Sequence, residues 1–80
     1  MKIYEFTVIL PEIDDSTVDA IYHRCPDSSI GRSHGAMYAA FDRDAISLEA
    51  ALDSAVADLQ QIGISPLRIE LDVPKTAVAL

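Results

Sequence analysis

From residue 2 to residue 10 the chain alternates, with Tyr4, Phe6, Val8 and Leu10 on one side and Ile3, Glu5, Thr7 and Ile9 on the other. A period of two is that of a β-strand, and Pro11 ends it. The period then lengthens: Val18, Ile21, Tyr22 and Cys25 stand at the i, i+3, i+4, i+7 spacing of one helix face. Ser16 is placed to cap that helix, with Asp19 three residues on, and Pro26 stops it by pushing its predecessor out of the α region.

A second helix is predicted after Ser47, which stands as its cap. Its apolar stripe runs through Leu48, Ala51, Leu52, Ala55, Val56, Leu59 and Ile62. Glu49, Asp53, Asp58, Gln60 and Gln61 take the other side, and Gly63 closes the helix as a C-terminal glycine. Between the helices, Met37, Ala39 and Phe41 alternate with Ala36, Tyr38 and Ala40, and a weaker strand covers about Ser28 to Arg32. These two form a hairpin whose turn is a three-residue loop, Ser33-His34-Gly35, with the glycine in the left-handed region. Leu67, Ile69, Leu71 and Val73 alternate with Arg68, Glu70 and Asp72 in a half-buried last strand bracketed by Pro66 and Pro74.

The order is therefore βαββαβ, an α+β fold of the ferredoxin-like kind: a four-stranded antiparallel sheet, first and third strands central, both helices on one face. A swapped or ββα-type arrangement competes if the weak strand fails to form. Residues 1–74 make one domain and residues 75–80 a C-terminal tail. Eighty residues bury only about 60% of the surface of the unfolded chain, so a partner subunit would add to a small core.

Charge narrows the partners. Thirteen acidic against six basic side chains give a formal charge of −7 with no basic patch, which disfavours phosphate backbones and anionic lipid. The acidic run Glu12, Asp14, Asp15 and Asp19 reads as a solvated helix start. Cys25 is the sole cysteine, which excludes an internal disulfide and suits a reducing compartment. The opening MKIYEFTVIL is interrupted by Glu5 and lacks a small-x-small cleavage site, and no stretch is long enough to span a membrane. A cytoplasmic protein is expected.

Three stretches carry a resemblance: FDRDAISLEAALDSAVADLQQIGI from Phe41 to Ile64, SHGAMY before it, and the opening YEFTVIL. Together, over about residues 4 to 73, they resemble the N-terminal region of a group of small bacterial regulator-like and antitoxin-like proteins. Some of that group continue into a DNA-binding helix-turn-helix. Where those continue, this chain has Pro74-Lys75-Thr76-Ala77-Val78-Ala79-Leu80, so the resemblance implies regulation but no direct nucleic-acid contact by these residues.

No catalytic constellation emerges. Ser33 and His34 with Arg32 lie adjacent in a turn, where side chains usually point apart, and a nucleophile needs a base held by a third group. His23 and Cys25 with His34 lack the paired spacing of a zinc site, and Cys25 reads as a core residue. Asp42 and Asp44 around Arg43 read as charges favoured by the start of the second helix. Gly31, Gly35 and Gly63 match no nucleotide-binding loop. No cofactor or metal is expected.

What stands out is the sheet face away from the helices, carrying Ile3, Thr7, Ile9, Ala36, Tyr38 and Ala40. It is too apolar to be simply wet, and such a patch usually marks an interface. The leading expectation is a non-enzymatic interaction module, a homo-oligomer through that face, serving as a regulatory or antitoxin-like accessory protein, with a further protein partner possible. The alternative is a small-molecule sensor whose ligand sits at a subunit interface near Asp14, Asp15 and Ser16. RNA binding by the sheet is a distant third, because Tyr38 is the one aromatic there and basic neighbours are missing.

Overall fold

The computed structural model describes residues 1–71. The elements are β1 (Lys2–Leu10), α1 (Asp15–Arg24), β2 (Ser28–Ser33), β3 (Ala36–Ala45), α2 (Leu48–Gln61) and β4 (Arg68–Leu71). The strands form one antiparallel sheet in the order β2-β3-β1-β4, so β1 and β3 are central. Asp72, Val73 and Pro74 of the expected last strand and domain, and the tail from residue 75 to 80, lie outside the described residues.

The alternation in β1 and β3 sets the core. Phe6, Val8 and Leu10 stand opposite Phe41, Ala39 and Met37, and all six are buried. They pack with Ile21 of α1, with Cys25 directly after it, and with Ala51, Ala55 and Leu59 of α2, so both helices cover the same face. The Phe6 and Phe41 rings stack with centroids 5.3 Å apart. Ala51 and Ala55 are fully buried in the same cluster, and their small side chains let α2 lie close to the sheet at native packing density.

Each helix end has a local cause. Asp14, not Ser16, caps α1: its carboxylate accepts from the Thr17 amide at 2.8 Å, and both the Ser16 and Thr17 hydroxyls donate to the same oxygen. Aspartate reaches the free amides of the first turn as well as serine does, and the two hydroxyls hold it in place. Ser47 caps α2, accepting from the Ala50 amide at 3.1 Å. At the other end Gly63 has φ +84°, its amide donates to Gln60, and Ile64 donates to Leu59. That is a Schellman closure, and it plants Ile64 in the core at 3% exposure.

Three further expectations are corrected. The hairpin turn has two residues, since Ser33 pairs directly with Ala36. His34 at φ 52° and Gly35 at φ 78° are both left-handed, as a type I′ turn demands to match the strand twist. β3 runs on past Asp42 to Ala45, so Asp42 and Asp44 lie within the strand, not at the start of α2. β4 is shallower than its alternation implies: Ile69 packs against the core, but Leu67 and Leu71 are 64% and 50% exposed.

Candidate functional site

Two side-chain constellations stand out, one on each face of the sheet. On the covered face, Arg43 shares the parity of Met37, Ala39 and Phe41, yet it is a cation. Its guanidinium holds Asp27 with two bonds, Nε at 2.8 Å and Nη2 at 3.0 Å, and gives its third nitrogen to Asp58 at 2.9 Å and Ser54 at 3.1 Å. Arg24 of α1 also reaches Asp58 at 3.3 Å and donates to Gln61. Asp58, expected on the solvent side of α2, is thus an ion-pair partner. Arg43 holds the Asp27 carboxyl below its usual range, while burial and the nearby Asp58 push the Cys25 thiol up. The Asp42 amide also donates to the Asp27 carbonyl. Every bond here joins elements of the fold to one another, so this is a structural clamp among α1, the loop after it, β3 and α2.

The open face is different. In register, Thr7 stands opposite Ala40 and Ile9 opposite Tyr38, with Ala36 beyond them beside the turn. On the other flank of β1, Thr7 meets Glu70 and Ile9 meets Arg68 of β4. All of these but Ala40, together with Ser33 and His34 of the turn, bound a concavity of about 390 Å³. Thr7, Ile9 and Ala36 make its floor, Tyr38 its wall toward β2, Arg68 and Glu70 its wall toward β4, and Ser33 and His34 its end. Arg68 and Glu70 pair at 3.2 Å with side chains 63% and 54% exposed. Ile9 is buried although it lies outside the core cluster.

Gly31 explains the trough's shape. It pairs with Tyr38, and a Cβ at that position would sit 2.4 Å from the tyrosine Oη and 2.5 Å from Cζ. The ring therefore lies down over the bare glycine backbone of β2, leaving the space above Ile9 and Ala36 open. A strand-interior glycine weakens a sheet unless something must approach its backbone, and here the aromatic ring is that something.

All six residues expected on the open face are there, but they do not form one patch. Ile3 is opposite Asp44 and Glu5 opposite Asp42, so a pair of carboxylates separates Ile3, itself 64% exposed, from Thr7, Ile9, Ala36, Tyr38 and Ala40. Sequence reasoning missed Arg68 and Glu70 as walls, although their alternation with Leu67 and Ile69 was a usable sign. It also missed the Gly31–Tyr38 pairing, which needs the strand register.

Of the rejected chemistries, one detail changes. Ser33 Oγ and His34 Nδ1 do not point apart but lie 3.0 Å from each other. Both are exposed, and among the described residues the other ring nitrogen has no hydrogen-bond partner, so no third group aims the imidazole as a catalytic base requires. Among the described residues no three His, Cys, Asp or Glu side chains gather as a metal site would need. Asp14 is spent on capping α1. No helix among them is long and apolar enough to cross a membrane. The chain matches no protein-family model, no curated protein and no solved structure.

Proposed function

We propose that this chain is a non-enzymatic interaction module that assembles with a second copy of itself through the open face of its sheet, in a regulatory or antitoxin-like accessory role. The strand order, the antiparallel neighbours and the two helices on one face support a ferredoxin-like fold, in which that face is free to meet another sheet. The observation that carries the proposal is the apolar group Ala36, Tyr38 and Ala40 of β3, half-buried on the face that no helix covers, around the buried Ile9 of β1 at the hairpin end of the sheet. Four strands about 4.8 Å apart, over roughly six residues of length, give a face only about 20 Å by 20 Å in projection. A dimer built on it lies at or below the standard interface size and dissociates on dilution. Two chains of charge −7 also repel, so added salt tightens the dimer.

Light scattering across a concentration series, with circular dichroism alongside, tests this. The wild-type protein is expected to be dimeric at high concentration and Tyr38→Asp a folded monomer. A wild-type protein that stays monomeric at the highest concentrations ends the proposal. One observation favours a second function on the same face: the trough is concave and carries both charges and an apolar floor, which is the make-up of a small-molecule site.

A further inference from the structure

The walls of the trough specify a ligand. Arg68 and Glu70 stand two apart on β4 and so project from the same side of the strand, about 6.7 Å apart along it, a cation beside an anion. Their mutual ion pair is exposed, and such pairs are held so weakly that either partner is free to exchange. Against a chain of charge −7, an anion would be repelled, while a purely cationic ligand would leave Arg68 facing its charge. A molecule with one carboxylate and one ammonium on a short frame satisfies both side chains and carries no net charge. Ala36 and the Tyr38 ring, with the edge of the buried Ile9, give the trough an apolar side next to Thr7, and ask for a hydrocarbon or aromatic side chain on that frame.

We propose that the trough binds a free α-amino acid with an apolar side chain. This rests on the reading of the open face as a small-molecule site. The ligand carboxylate accepts from the Arg68 guanidinium and its ammonium donates to Glu70. The side chain lies along Ile9 and Ala36 against the Tyr38 ring, and Gly31 is the residue that keeps that ring out of the trough.

The probes are L-leucine and L-phenylalanine, titrated into the full chain and followed by two-dimensional NMR and calorimetry. Leucinamide and N-acetylleucine, each missing one of the two charges, serve as controls. Saturable binding of either amino acid, with shifts centred on Ile9, Ala36 and Tyr38, is expected, and both blocked compounds bind about tenfold or more weakly, the usual loss for one charge-assisted bond. Arg68→Gln weakens the amino acid by a similar factor. Gly31→Val abolishes binding by lifting the Tyr38 ring, and Gly31→Ala, a smaller change to the strand, does the same if the larger variant fails to fold. No saturation by either amino acid, or equal binding by the blocked compounds, overturns the proposal. Mass in solution, measured on the same samples, separates the two ideas: a monomer that binds leucine keeps the ligand site and removes the sheet-to-sheet dimer, and a dimer that ignores both amino acids does the reverse.

Discussion

The same four strands present two faces that obey different rules. On the covered face Phe6 meets Phe41 and Val8 meets Ala39, each at 2% exposure or less, and the cation Arg43 is bound on three sides. On the open face the apolar pair Ile9 and Tyr38 lies at one end and the carboxylates Glu5 and Asp42 stand directly opposite each other toward the other. Like charges in register destabilise a sheet. Packing and the Arg43 ion pairs account for the middle of the first face. The second contains features that folding of a lone chain does not require, and that is why function is sought there.

The sharpest way to break the comparison is to remove one ring from each face of β3. Phe41→Ala deletes half of the stacked pair and is expected to cost about 3–5 kcal/mol, the usual range for a buried phenylalanine. In a domain whose whole stability is of the order of 5–10 kcal/mol this approaches unfolding. Tyr38→Ala, three residues earlier, is expected to cost about 1 kcal/mol in the monomer, like an ordinary partly exposed site. Urea unfolding of the two variants decides it. Equal losses would show that the open face, too, belongs to the folding core.

Arg43 and Arg68 extend the contrast to charge. Arg43 is 11% exposed with two carboxylate partners, and Arg43→Met leaves Asp27 and Asp58 with one counter-charge fewer in a half-buried place, for a loss of about 2–3 kcal/mol. Arg68 pairs in the open, and Arg68→Gln is expected to change stability by less than about 0.5 kcal/mol. The pH dependence carries the same difference. Asp27 has its folded pKa lowered by Arg43, so its contribution is fully present above the unfolded value of about 3.9 and is lost as pH falls through the folded value. The wild type should therefore lose stability steeply below pH ~4, and Arg43→Met should flatten that acid limb. A limb unchanged by the substitution would mean that Asp27 is not the group that titrates.

Much of this was legible in the sequence because it is local. The period of two in residues 2–10, the stripe Ala51, Ala55, Leu59, and Gly63 as a closing glycine each depend on neighbours within one turn or strand. What escaped is non-local or a contest between similar residues. Asp14 took the cap from Ser16 because two hydroxyls, Ser16 and Thr17, support its carboxylate. Arg43 stood on the covered parity of β3, a usable sign of a buried ion pair, but Asp27 and Asp58 as its partners follow only from the packing of α2 and the loop after α1. The meaning of Gly31 depends on its facing Tyr38, and strand register is set by the turn, which is shorter by one residue than its glycine suggested.

That turn offers the smallest effect and the finest test of the contrast. His34 holds φ 52°, a conformation histidine tolerates better than most residues, but the two-residue hairpin prefers asparagine before the glycine at Gly35. For folding alone, His34→Asn should then stabilise the protein by about 0.5 kcal/mol, a rise in melting temperature of about 2–4 °C for a domain of this size. The side chain lost in the exchange is the one that contacts Ser33 and closes the end of the trough. A gain on melting identifies His34 as a residue the hairpin tolerates rather than needs, which places it with the facing carboxylates Glu5 and Asp42 among the open-face features that folding does not explain. A lower melting temperature instead would mean that the contact with Ser33 outweighs the backbone cost, and the turn would rejoin the covered face as a part shaped by stability.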